Sequence, residues 1–100
     1  MRLLLLFAVL LAACRPADTG AAGPISDRPI RVVATTSLVA DLVRAVGGDR
    51  VEVEGLMGPG VDPHLYQASE GDVSRMSGAD VIVYNGLHLE GRMASLFEQM

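Results

Sequence analysis

The fold is decided by one stretch, which begins Val51-Glu52-Val53-Glu54-Gly55-Leu56. It continues through Gly58-Pro59-Gly60-Val61-Asp62-Pro63-His64-Leu65-Tyr66 and on from Ser69-Glu70-Gly71-Asp72 to Gly78. The first part alternates Val and Glu, which reads as a strand with one face less covered, or at a sheet edge. The last part opens on a capping box, with Ser69 as cap and Asp72 reaching back. It reads as a short helix carrying Val73 and Met76 inward and ending near Gly78. Between them the two prolines fix φ at about −65° and the two glycines permit turns that other residues resist. Asp62 precedes a proline and is pushed toward extended backbone. The result is a stiff loop presenting one histidine, His64. As a strand-to-helix connection it belongs at the C-terminal edge of a sheet, where open α/β folds bind ligands.

The same unit recurs on both sides. Ile30 to Ala34 reads as a strand, and Thr35-Thr36-Ser37 as a polar turn with Ser37 capping the next helix. Asp41 is expected in the first turn of that helix, where the dipole favours an acid. Leu38, Val39, Leu42, Val43 and Val46 form its apolar face, and Gly47-Gly48 stops it. Val81-Ile82-Val83-Tyr84 is an unbroken apolar, β-favouring run, which predicts a strand covered on both faces and central in the sheet. Asn85 to Glu90 is the loop and helix start after it. The next helix begins around Leu89 to Gly91, with Met93, Leu96, Phe97 and Met100 on one face. Strands alternating with helices predict an α/β fold, a parallel sheet of βα units with right-handed crossovers. That places Thr35 to Ser37, His64 and His88 on one edge.

The ends speak to location. Met1-Arg2, the apolar run Leu3 to Leu11 and the small residues Ala12-Ala13 have the form of a signal peptide, too short to span a bilayer. Cys14 follows directly, as in a bacterial lipobox, and is the single cysteine of the 100 residues. Residues 1–13 are thus expected to be a lipoprotein signal peptide. Residues 14–29 would be a lipidated cysteine and flexible tether, and residues 30–100 the folded part. A lone cysteine excludes an internal disulfide framework. The helical pattern after Met93 stops without a cap, and residues 30–100 make a small α/β sheet. The chain is therefore expected to be the front part of a longer protein.

Composition excludes several activities. Loss of Arg2 with the leader leaves seven basic against twelve acidic residues, a net of −5, with no basic cluster. Nucleic acid is a poor partner for such a surface. No lysine is present, so no P-loop can form, and Gly58-Pro59-Gly60 lacks the third glycine of a dinucleotide fingerprint. No G-x-S-x-G elbow occurs, and Ser37 and Ser69 are accounted for as caps. Asp62 and Glu90 could form a carboxylate pair, although solvated loop acids account for them more simply. The chain reads as no enzyme. A loop histidine like His64 is either solvated or a metal ligand. Rigidity favours the ligand, since a side chain on a restricted backbone loses little entropy on binding. Neutral imidazole also suits zinc and other borderline metals, of which each site takes three or four protein ligands.

Taken together, these motifs resemble the solute-binding lipoproteins of zinc and manganese ABC importers, a group that includes proteins once described as adhesins. The resemblance rests on Val33-Ala34-Thr35-Thr36-Ser37, on Gly60-Val61-Asp62-Pro63-His64-Leu65-Tyr66-Gln67 and on Ala79 to Glu90, which ends Asn85-Gly86-Leu87-His88-Leu89-Glu90. It implies the N-terminal lobe of a two-lobed protein joined by a long helix, with one divalent metal ion, Zn2+ or Mn2+, in the cleft as the transported ligand. It further implies His64 as a metal ligand, the others lying beyond this chain. His88 is implied as a cleft-lining residue or one supporting the ligands, and Tyr66 and Glu90 as packing and loop support. The implied partners are the permease of an ABC importer and membrane lipid held through acylated Cys14. The protein would then be anchored to the bacterial membrane, facing the periplasm or the cell exterior. A surface lipoprotein acting in adhesion or envelope interaction is the alternative.

Overall fold

A computed structural model describes residues 23–100. The signal-peptide reading and the lipidation of Cys14 fall outside the described residues. Three parallel strands form one sheet: β1 (Ile30–Ala34), β2 (Val51–Gly55) and β3 (Val81–Val83), in the order β2-β1-β3. β1 pairs with β2 from Ile30↔Val51 to Ala34↔Gly55, and with β3 from Val32↔Val81 to Ala34↔Val83. The helices are α1 (Ser37–Gly47), α2 (Glu70–Ser77) and α3 (Ala94–Phe97). The chain steps from β1 to β2 in one direction and from β2 back past β1 to β3 in the other. Right-handed crossovers in opposite directions put their helices on opposite faces. Two separate cores follow from the strand alternation. Ala34 packs with Val39 and Ala40 of α1, while Val33 packs with Met57, Met76 of α2 and Met93.

The parallel βα architecture and the edge position of β2 agree with the alternating Val/Glu reading. Among the described residues, the expected central place is taken by β1 and not by β3. β1 is the middle strand, β3 lies at the side of the three-stranded sheet, and Val81 is 45% exposed. An unbroken apolar run reports covering of the faces, not position in the strand order. β3 also ends at Val83, and Tyr84 beyond it stacks on Phe97 with ring centroids 4.4 Å apart.

Five helix details differ from expectation. The cap of α1 is Thr36, whose side chain accepts from the Val39 N–H, so Ser37 is already the first helical residue. Asp41 consequently lies beyond the first turn and pairs with Arg44 at 3.2 Å. Of the apolar face of α1, Val39 is buried and Val43 partly so, whereas Leu38, Leu42 and Val46 are exposed. The helix leans on the sheet through the row that contains Ala40, and the apolar arc is wider than that contact. In α2 the inward pair is Asp72 and Met76 rather than Val73 and Met76. Finally, the last helix begins at Ala94, because Leu87 to Met93 turn first.

Ahead of β1, Arg28 makes a two-pronged contact with Asp80, at 2.7 and 2.9 Å, and Asp80 also accepts from the Arg31 N–H at 2.8 Å. The Arg28 side-chain hydrogen bonds hold the Asp80 carboxyl well below the usual range. The segment entering the sheet is thereby fastened at the N-terminal edge, opposite the βα loops.

Gly47 closes α1 with ordinary right-handed φ (−85°), so its requirement is spatial. A Cβ there would overlap the side chain of Val51, the first residue of β2. Val51 is β-branched and has little rotamer freedom to yield. Gly47→Ala is therefore expected to destabilise the intact protein by about 1–3 kcal/mol. Denaturant unfolding would show this as a lower midpoint with an unchanged slope.

Candidate metal site

Because the strands are parallel, the loops after β1, β2 and β3 share the C-terminal edge of the sheet. In doubly wound sheets the ligand crevice lies where the strand order reverses, here between β1 and β3. Thr35-Thr36 leaves β1 on one side of that point, and Asn85 to Glu90 leaves β3 on the other. The His64 loop follows β2, next to β1. It is joined to the β1 end by backbone bonds from Leu56 to Ala34 and from Met57 to Thr35, at 2.9 and 3.0 Å.

Glu90 ties the reversal point together. It is buried, and its Oε1 accepts from the Thr35 hydroxyl at 2.6 Å, the Asn85 backbone N–H at 2.7 Å and the Asn85 side-chain amide at 2.9 Å. Its Oε2 accepts from the Gly86 N–H at 3.2 Å. Burial pushes its carboxyl up, but these donors together outweigh that and hold it below the ordinary value. The Asn85 amide also reaches the hydroxyl of Thr36, the α1 cap, at 3.2 Å. One carboxylate thus joins the end of β1 to the loop after β3. The capture of Asn85 and Gly86 accompanies a tight left-handed turn, with φ of 79° at Gly86, 51° at Leu87 and 61° at His88. For Leu87 and His88 that conformation is strained, and it holds both side chains out from the edge.

His64 is exposed and oriented. Asp62 Oδ1 accepts its backbone N–H at 2.9 Å and lies 3.0 Å from its ring Nδ1. The bond from the His64 backbone, followed by that from its ring, holds the Asp62 carboxyl below its usual value. Tyr66 anchors the other end of the loop. Its hydroxyl donates to Asp72 Oδ2 at 2.7 Å, and burial first, then this acceptor, pushes its pKa up to about 12. The same Asp72 oxygen accepts from the Ser69 N–H and hydroxyl, both at 2.9 Å, completing the capping box of α2. The His64 loop is therefore stapled to a helix N-terminus through Tyr66.

The four candidate positions fall into different roles. His64 projects a ring nitrogen. Tyr66 and Glu90 are fully engaged in holding loops. His88 is exposed and lines, with Tyr84, Leu87, Glu90 and Phe97, a surface depression of about 460 Å³. No hydrogen bond links His64 to the Glu90 group. Among the described residues no three His, Cys, Asp or Glu side chains converge as a metal site would require. The donor chemistry here is one rigidly held imidazole, fitting a single ligand of a larger set. The sequence reading missed the bond of Asp62 to His64, the Thr35 and Asn85 donors to Glu90, and the use of Asp72 by Tyr66. Only the first had a local signal, since an Asp two residues ahead of its partner favours a side-chain turn.

Comparison with known proteins gives one consistent result. Residues 32–100 match the family described as the zinc-uptake complex component A, periplasmic. The chain is similar to the manganese-binding lipoprotein MntA of Bacillus subtilis, at 48% identity over all of this chain and 33% of that protein. It is 51% identical to the zinc-binding protein TroA of Treponema pallidum over 69% of this chain and 22% of TroA. The structure of the periplasmic zinc-binding protein TroA from Treponema pallidum superposes with a TM-score of 0.69 and 49% identity, over 71% of this chain and 26% of that one. A manganese-bound periplasmic metal-binding protein from Candidatus Liberibacter asiaticus superposes with a TM-score of 0.64 and 32% identity, over 71% and 27%. The chain spans a third or less of the length of these relatives.

Proposed function

Since the chain belongs to the family of periplasmic zinc-uptake component A proteins, which are transport components rather than enzymes, we propose that the protein captures a divalent transition metal for import. It takes up Zn2+ or Mn2+ as cargo outside the cytoplasmic membrane and hands the ion to the permease of an ABC importer. Residues 30–100 supply the N-terminal metal-binding lobe, and His64 is the ligand they contribute. The remaining ligands come from later segments of the intact protein, across the cleft. Tyr66 and Glu90 keep the two flanking loops in place, and His88 lines the cleft. Residues 1–13 are removed as a signal peptide, Cys14 is acylated, and the stretch up to residue 29 tethers the lobe to the membrane.

The observation that carries this reading is the His64 loop. It holds an exposed imidazole on a backbone restricted by two prolines, with the His64 backbone N–H and ring Nδ1 each in contact with Asp62. Little ordering entropy then remains to be lost when a metal binds. The imidazole must be neutral to donate its lone pair, so protons compete with the metal. The anchor reading draws support from MntA, a named lipoprotein that aligns along the whole of this chain.

Competition with a chelating dye tests the reading on the intact protein. One equivalent of Zn2+ or Mn2+ should bind saturably and raise the melting temperature, as any ligand specific for the folded state does. Absence of saturable binding of either ion would overturn it.

A further inference from the structure

We propose that Asp62 is a positioning residue for metal capture: it holds the proton of the His64 ring on Nδ1 and so commits the Nε2 lone pair to the metal. The proposal rests on the reading of His64 as a ligand and adds which nitrogen binds and what enforces that choice.

The geometry carries it. Oδ1 of Asp62 accepts the His64 backbone N–H at 2.9 Å and stands 3.0 Å from Nδ1 of the same residue. An ionised carboxylate can only accept, so a neutral imidazole at this distance must carry its proton on Nδ1. The tautomer of a histidine is set by the bond its other nitrogen makes. Free imidazole side chains in water favour the opposite tautomer, with the proton on Nε2. Without Asp62, the exposed His64 ring would therefore often present a protonated Nε2, which cannot bind a metal. Asp62 also fixes the ring in space, since one oxygen grips both the backbone and the ring of a residue held between Pro63 and Leu65. Among the described residues no other side chain bonds to the His64 ring. A carboxylate behind a metal-bound histidine also raises the basicity of the ligand, and loss of such a partner typically lowers metal affinity about 10–100-fold.

The test uses the intact protein and two readouts. Long-range 1H–15N NMR on histidine-labelled, metal-free protein at alkaline pH reports the tautomer of His64. The wild type is expected to show Nδ1 protonated. Asp62→Ala should shift the ring toward the Nε2-protonated form, and Asp62→Asn, whose carbonyl still accepts, should retain the wild-type pattern. Zn2+ affinity by chelator competition should fall about 10–100-fold in Asp62→Ala and recover to within about 10-fold of wild type in Asp62→Asn. Asp62 is exposed, so the metal-free melting temperature should move by no more than about 2 °C. Because Asp62 acts through the ring, Asp62→Ala should cost nothing further in a His64→Ala background. An Nε2-protonated wild-type ring, or an equal loss in both backgrounds, would overturn the positioning role while leaving His64 as a ligand. Unchanged affinity in His64→Ala alone would instead overturn the ligand reading, and the positioning role with it.

Discussion

Replacing Glu90 with alanine is expected to lower the melting temperature of the intact protein by about 6–20 °C. The carboxylate is buried and accepts four bonds from the Thr35 hydroxyl, the Asn85 backbone and side chain, and the Gly86 N–H. Its removal leaves several part-buried donors without partners, and each such group costs about 1–3 kcal/mol when water cannot fully replace the acceptor. A total of about 3–5 kcal/mol, at about 2–4 °C per kcal/mol for a chain of this class, gives the stated shift. Glu90→Gln keeps one acceptor oxygen for most of these donors and should lose less than half as much. A drop below about 2 °C for the alanine variant would mean that Glu90 does not hold the loop.

The same carboxylate gives a pH dependence. Its folded value lies below the unfolded 4.5. It therefore contributes stability that is present above pH 4.5 and is lost as the pH falls through the folded value. The Glu90→Ala variant should lose less stability than the wild type over that acid range. Equal acid sensitivity in the two proteins would contradict the assignment.

Replacing His64 with alanine is expected to lower zinc or manganese affinity at least about 100-fold, with little change in metal-free stability. The first part follows from ligand count, since a site of three or four protein ligands loses a full metal bond. The second follows from exposure. The ring is exposed and, among the described residues, bonds to Asp62 alone, so its removal opens no buried cavity. The two variants should therefore separate cleanly. Glu90→Ala acts on stability first, and His64→Ala on binding alone. Chelator competition and thermal melts on both proteins check this, and a large thermal loss in His64→Ala would mean that the loop is part of the fold rather than a ligand mount.

What the sequence disclosed follows the range of the forces involved. The capping box at Ser69 and Asp72 and the edge character of β2 are local patterns, and both are present. The middle place of β1 among the three described strands was not legible, because four adjacent apolar residues describe faces, whereas strand order depends on the whole crossover path. The outward turn of Leu38, Leu42 and Val46 was equally hidden, since helical period shows which residues share a face and not how far the sheet extends beneath it. In the site, His64 stood out because prolines and glycines frame it. Glu90 did not stand out as the central fastening, because Thr35 lies 55 residues away in the chain. Such a pairing exists only once the strands are in register. Asp72 resembled an ordinary capping acid, and its burial and bond to Tyr66 depend on how the loop folds back.

The central claim, that this lobe offers His64 to a transported metal ion, is tested most directly by anomalous diffraction from crystals of the intact protein loaded with zinc. The account predicts one anomalous peak per molecule, bonded to a ring nitrogen of His64 at about 2.0–2.1 Å. A fully occupied metal bound elsewhere, with the His64 ring left in solvent, would contradict it.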